Sequence, residues 1–195
     1  MLLSENELGS QNLQEFENLL AEFSNLDVNC FIEIGSLYGW TLQHFIHYAN
    51  EGSTAISIDL PVRRFVGPGD WRVQKQEDNY KNVWPVWAKQ KKCKLYLIPD
   101  ESQKVETQET VNDILKGRSI DFLFIDGNHT YSGVKMDFEI YSKLVRPGGI
   151  IAFHDIGENE EGGVYNLWQE LKQKYNHKEF LLEENKEKGI GVLFV

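Results

Sequence analysis

The chain has 195 residues, 41% hydrophobic and 12% aromatic, enough for a sizeable core and too many for a disordered polymer. Lys and Arg total 20 against 30 Asp and Glu, a formal net charge of -10. A surface of that sign repels phosphate backbones, so nucleic acid is not an expected partner. The length suits one domain, residues 1–195.

Leu13, Phe16, Leu19, Leu20 and Phe23 recur at helical spacing and predict an amphipathic helix within residues 1–28. Met1–Gln11 show no basic stretch followed by an apolar run, so no secretory signal is expected. No apolar run approaches the roughly 20 residues of a membrane helix, and the expected location is the cytoplasm, without a membrane partner. Cys30 and Cys93 sit singly, without metal spacing, as reduced thiols would. Cys30–Ile34 predicts a buried strand ending at Gly35, Trp40–Tyr48 a helix after the Gly39 turn, and Thr54–Leu60 a second strand stopped by Pro61. Residues 61–92 then break the pattern with Pro61, Gly67, Pro68, Gly69 and Pro85 among the aromatics Phe65, Trp71, Tyr80, Trp84 and Trp87. This stretch is expected to be an insert folded over the active-site rim. Its aromatics would line a pocket or pack on the sheet, and Arg63, Arg64 and Arg72 could hold a carboxylate or phosphate.

Lys94–Ile98 predicts a third strand, Ser102–Leu115 a helix, and Ile120–Ile125 a fourth strand. Tyr131–Val145 predicts a helix stopped by Arg146-Pro147-Gly148-Gly149, Ile150–Phe153 a fifth strand, and Val164–Tyr175 a helix. Phe180–Glu183 and Ile190–Val195 read as two closing strands joined by a polar turn. Apolar strands alternating with helices predict an α/β, doubly wound, mostly parallel seven-stranded sheet, and the closing pair a C-terminal antiparallel hairpin. That is the Rossmann-like architecture of class I methyltransferases.

Ligands of such sheets bind beyond the carboxyl ends of the strands. The first strand ends in Glu33-x-Gly35-x-x-x-Gly39, with Leu37 where a dinucleotide fingerprint needs its second glycine. Gly35 and Gly39 allow a tight turn and close backbone approach. A carboxylate at 33 is awkward beside a pyrophosphate and favourable beside an ammonium group, which suits S-adenosylmethionine. Asp59, at the end of the second strand, is placed to accept ribose hydroxyls.

EIGSLYGWT, SIDLP, IDGNH and RPGGIIAFHD, in this order, resemble the small cation-dependent O-methyltransferases of the catechol and caffeoyl-coenzyme-A type. The stretch from Ile125 to Asp155 is similar above all to the macrocin O-methyltransferase and cephalosporin hydroxylase group. The resemblance implies that Glu33, Gly35, Ser36 and Thr41 cradle the methionine end of the cofactor and that Asp59 holds its ribose. It also implies that Ser102 and Gln103, or Asp100 instead, meet the adenine edge.

Asp126 ends the fourth strand and His154-Asp155 the fifth, so the three side chains should converge as a divalent-cation site. The resembling family holds its metal, Mg or Mn, at these positions. His154 departs from that pattern, since imidazole suits Mn, Fe or Zn better than Mg, or could bind through water or act as a base. His129 lies where catechol-type enzymes carry a catalytic lysine, and with Asp126 forms the expected catalytic pair, the imidazole taking a hydroxyl proton near neutral pH. The expected partner is a small hydroxylated acceptor such as a sugar, polyphenol or natural product, with a homo-oligomer left open. Competing readings are an oxidoreductase, either nicotinamide-dependent or like the cephalosporin hydroxylase, and a non-catalytic nucleoside-binding module on the same fold. Leu37 and the terminal hairpin speak against the nicotinamide version.

Overall fold

The structure is a computed structural model describing residues 12–67, 69–158, 162–182 and 187–195. Asn12 opens helix α1 (Leu13–Asn25) as its N-cap, its side chain accepting the Gln14 and Glu15 amides, and Phe16, Leu19, Leu20 and Phe23 form the buried stripe. Strands β1 (Cys30–Ile34), β2 (Thr54–Ile58) and β4 (Ile120–Ile125) are buried at every position, as strands covered on both faces must be. The remaining strands are β3 (Lys94–Ile98), β5 (Val145–His154), β6 (Asn176–Phe180) and β7 (Ile190–Phe194). The sheet order is β3-β2-β1-β4-β5-β7-β6, with β7 antiparallel to both neighbours and the other pairs parallel. The predicted doubly wound sheet with its antiparallel end is therefore present.

Alternation along each strand separates two cores. Ile32, Ile34, Ile56, Leu123 and Ile125 face helices α5 (Val105–Leu115), α6 (Tyr131–Tyr141) and α7 (Gly163–Leu171). Phe31, Ala55, Phe122, Phe124 and Ala152 face α1, α2 (Trp40–Tyr48) and α4 (Trp84–Gln90). Cys30 and Cys93 are buried and unlinked. Among the described residues no helix is long and apolar enough to cross a membrane.

The structure departs from the sequence reading in three places. Residues 61–92, read as an insert, form the crossover between parallel β2 and β3, carrying α3 (Trp71–Asp78), a π turn over Asn79–Val83 and α4. Pro85 lacks the amide the helical ladder needs at that point, and the π turn lies just before it. The stop expected at Arg146-Pro147-Gly148-Gly149 is instead part of β5. Gly148 N–H donates to Val195 O (2.7 Å) and Val195 N–H to Gly149 O (3.1 Å), drawing the turn residues into the sheet. The strand expected at Phe180–Glu183 lies earlier, at Asn176–Phe180. Its register against β7 is set by Phe180 opposite Ile190, and as an exposed edge it needs no apolar face. Glu183 itself, the polar turn 183–186, Pro68 and Met1–Gln11 lie outside the described residues, as does the side chain of Arg63.

Candidate active site

The loop leaving β1 crosses the switch point between β1 and β4. Gly35 has φ +88°, and a Cβ there would lie 2.0 Å from the carbonyl oxygen of Asp126, so only glycine lets the two strand ends come together. Asp126 N–H donates to Ile34 O at 2.8 Å, closing the junction. Leu37 occupies left-handed backbone (φ +46°), where glycine would be at ease, and its N–H donates to Asp59 Oδ2 at 2.5 Å. Beneath the loop Glu33 is wholly buried. Ser36 Oγ donates to its Oε2 at 2.5 Å and Thr41 Oγ1 to its Oε1, while Ser57 Oγ lies 2.8 Å from Ser36 Oγ.

Burial pushes the Glu33 carboxyl up to about 8, against the two hydroxyl donors and with the charges of Asp126 and Asp59 adding to the rise. An acid whose folded pKa exceeds its unfolded value near 4.5 binds more protons when folded across that interval, so its contribution to stability falls as pH rises from about 4.5 to 8. Glu33→Gln, which keeps a neutral side chain of the same shape, is expected to lose less stability than the wild type between pH 5.5 and pH 8.5. Urea midpoints at the two pH values check this, and equal losses in both proteins would contradict it.

The crossover grips the same loop. Gln76, buried on α3, donates to Leu37 O and Leu60 O at 3.3 Å each and accepts the Val62 amide at 2.7 Å. Asn79 Nδ2 and Trp84 Nε1 both donate to Tyr38 O, at 2.9 and 3.2 Å. The Trp84 ring fills the space a Cβ on Gly39 would take, 2.3 Å from its nearest atom. Asp59 ends up half-buried, and its desolvation pushes its carboxyl up to about 7, against the Leu37 and Leu60 amides. A cleft of about 320 Å³ opens beside it, lined by Pro61, Val73, Gln76, Tyr80 and Pro99. Trp84 is core, whereas Phe65 and Trp71 are exposed, Trp71 stacking on Tyr38 at 6.2 Å with Lys75 over both rings. Arg72 is turned back on Asp70 and Arg64 onto Asp100 and Glu101.

On the other side of the switch point, Asp126, His154 and Asp155 each offer a ligand atom within 4.8 Å of the others. His154 Nδ1 lies 3.3 Å from Asp126 Oδ1 and 3.1 Å from Asp155 Oδ1. His129 bridges the same acids, Nε2 at 3.3 Å from Asp126 Oδ1 and Nδ1 at 3.2 Å from Asp155 Oδ2. Asp155 adopts φ +59°, a conformation a non-glycine residue takes up only at a cost and one that recurs at functional sites. Burial works against ionisation of Asp126, yet the charges and ring N–H groups of His154 and His129 hold it below the usual carboxylate range. Burial likewise opposes the His154 cation, but Asp126 and Asp155 raise its pKa to about 10. His129 is raised first by its hydrogen bond to Asp126. Two carboxylate oxygens and an imidazole nitrogen at this spacing fit a divalent cation, and the nitrogen tilts the set toward Mn, Fe or Zn.

The residues read as the adenine edge sit further out. Asp100 is a surface acid held by Arg64 and Lys104. Ser102 Oγ donates to Asp137 Oδ1 at 2.5 Å, and Gln103 Nε2 donates to Gly133 O at 2.9 Å, so α6 fixes both. Gln76, Asn79 and Asp137 escaped the sequence reading. The spacing of Gln76, Tyr80 and Trp84, four apart on one helical face, was the available signal.

Fold and rim together define a Rossmann-like α/β protein of the methyltransferase type, with its glycine loop and its acids on one edge of the sheet. The methyltransferase-domain family matches residues 32–156, and the chain belongs to that family. It is 28% identical over 144 residues to R132 of Acanthamoeba polyphaga mimivirus, covering 71% of this chain and 56% of that protein. It is 36% identical over 87 residues to y4gI of Sinorhizobium fredii, covering 44% of this chain and 9% of that much longer protein. It thus spans well under two thirds of either relative's length. Among solved structures it is similar to the O-methyltransferase from Bacillus cereus in complex with SAH, with TM-score 0.63 and 12% identity, covering 95% of this chain and 83% of that one.

Proposed function

We propose that the chain is an S-adenosylmethionine-dependent O-methyltransferase of a small hydroxylated acceptor such as a sugar, polyphenol or natural product. In this reading Asp126, His154 and Asp155 hold a divalent cation, and the protein sits with the macrocin O-methyltransferase group. The observation that carries the proposal is the contact of the glycine loop with the acidic rim, where a Cβ on Gly35 would meet Asp126 O at 2.0 Å. A ligand on the loop therefore faces the acids. The SAH bound by the Bacillus cereus enzyme supports the choice of cofactor.

When bound, the cofactor supplies an electrophilic sulfonium methyl and the cation lowers the pKa of an acceptor hydroxyl. The chain's own groups do the rest. Glu33, which burial favours in its neutral form, would release its proton to solvent as an ammonium group comes to lie against it. Asp59 takes the ribose hydroxyls, with the Pro61–Pro99 cleft beyond it for the nucleoside. His129 is the base of this reading: its ring nitrogens lie against Asp126 and Asp155, and a cation held by those acids would free one of them, unprotonated, to receive the acceptor's proton. Exposed Trp71 on Tyr38, beside Lys75, borders the loop and is available to the acceptor.

Calorimetric titration with S-adenosylmethionine and with NADH, each with and without Mn²⁺ or Mg²⁺, tests the assignment. S-adenosylmethionine is expected to bind with a Kd between about 1 μM and 1 mM, and NADH not to bind. NADH binding without S-adenosylmethionine binding would overturn the class of reaction.

A further inference from the structure

Between the sheet and helices α1 and α2 lie buried polar atoms that have no hydrogen-bond partner among the described residues: Glu15 Oε2, Trp40 Nε1, both polar atoms of Gln43, and both ring nitrogens of His154, of which Nδ1 lies within ion-pair distance of Asp126 and Asp155. Their residues are all at least nine-tenths buried, between 0% and 6% exposed. Alternation along β5 places His154 on the same face as Ile150 and Ala152, which is the face α1 and α2 cover. Glu15 precedes Phe16, whose ring packs on Trp40 at 4.5 Å, and Gln43 lies one turn beyond Trp40 on α2. These groups thus gather at the end of the layer where the strands deliver the acidic rim.

Glu15 also ties down the chain around His154. Its Oε1 accepts the Leu182 amide at 3.2 Å, just after β6. The far side of that hairpin holds the residues after the rim, Ile156 N–H donating to Gly189 O at 3.4 Å and Gly157 N–H to Lys188 O at 2.6 Å. Burial pushes the Glu15 carboxyl up, against the Leu182 amide, the charge of His154 and the Gly189 amide, so acid and imidazole lie within electrostatic reach. His154 Nδ1 lies 3.3 Å from Asp126 Oδ1 and 3.1 Å from Asp155 Oδ1, which puts Nε2 on the opposite side of the ring from the acids.

We propose that Glu15 is the positioning residue of His154: through a buried water that Trp40 or Gln43 also binds, its Oε2 accepts from His154 Nε2 and keeps Nδ1 facing Asp126 and Asp155. The inference rests on the cation site proposed above. Water is the natural link, because neither Glu15 Oε2 nor His154 Nε2 has a side-chain partner within hydrogen-bond distance among the described residues and a buried water needs two to four polar neighbours. A carboxylate behind a ligating imidazole fixes its tautomer and strengthens it as a donor to metal.

Two readouts on the full chain test this. In protein labelled with ¹⁵N-histidine and free of metal, a slowly exchanging Nε2–H resonance is expected for His154, assigned by its loss in His154→Asn. Glu15→Gln, which retains an acceptor for the Leu182 amide, is expected to shift or abolish that resonance and to weaken Mn²⁺ binding, read by electron paramagnetic resonance, about 10- to 100-fold. Glu15→Asp, which keeps the charge but draws it back by one methylene, should move the signal less and covers the case that the glutamine variant does not fold. Glu22→Gln, on the same helix and paired with Lys178 at the surface, should change neither readout. A His154 resonance unmoved in folded Glu15 variants overturns the proposal. Wild-type protein that binds no Mn²⁺ overturns the cation site, and the metal-free resonance still decides the role of Glu15.

Discussion

Replacing Asp126 with alanine is expected to lower methyl transfer by about 10³-fold while leaving the affinity for S-adenosylmethionine within about threefold. The split follows from which atoms of Asp126 do what. Its backbone forms the junction with β1, donating to Ile34 O at 2.8 Å and lying against Gly35, and alanine keeps that backbone. Its carboxylate is approached by both rim histidines, His129 Nε2 and His154 Nδ1, each at 3.3 Å from Oδ1. Without it the two rings are left with Asp155 alone, and the three-residue donor set becomes a pair. The check is transfer of tritiated methyl from the cofactor to a panel of catechols and sugars with Mn²⁺, run beside calorimetry of the cofactor alone. Undiminished turnover would remove Asp126 from the chemistry, and a lost cofactor affinity would mean that the side chain supports the loop.

The rim was legible because its residues stand at strand ends. Glu33, Asp126, His154 and Asp155 follow near-continuous apolar runs, and a parallel sheet has to bring the ends of adjacent strands to one edge. The glycines were legible for the same reason, since Gly35 and Gly39 mark where a buried strand turns into a helix. What the strand pattern could not carry was the layer above it. Whether Gln76 faces solvent or the loop depends on how α3 is rotated, and that depends on Trp84 sinking beneath Gly39. Proline and glycine density made the segment resemble an insert, although the spacing of Tyr80, Trp84 and Ala88 is that of a crossover helix.

Polar strands were the other blind spot. Asn176–Phe180 has no apolar periodicity because both its faces and its outer edge are exposed, and only pairing with β7 makes it a strand. Glu15 was hidden differently. In the sequence it is one acid on an apparently acidic outer face, yet the helix buries it completely against the hairpin that follows β6. Helical spacing locates a stripe well, but a residue at the margin of that stripe is assigned by a partner remote in sequence, here Leu182.

Gly35→Ala is expected to destabilise the fold by about 3 kcal/mol and to abolish measurable cofactor binding. Two separate costs add. The backbone at φ +88° is one that a Cβ disfavours by about 1–2 kcal/mol. The new methyl would also sit 2.0 Å from Asp126 O and 2.5 Å from Asp126 C, main-chain atoms that cannot rotate out of the way. Relief requires β1 and β4 to part at their carboxyl ends, which moves Leu37 N–H off Asp59 and the loop away from the acids together. Gly52→Ala provides the comparison, because Gly52 has nearly the same backbone, φ +83°, with nothing within 4 Å of the added carbon. It should incur only the backbone cost and bind cofactor normally. Urea denaturation and calorimetry of the two variants separate the terms. Equal losses of stability in both, or undisturbed cofactor binding in Gly35→Ala, would mean that the approach of the glycine loop to Asp126 is not what holds the cofactor loop against the acidic rim.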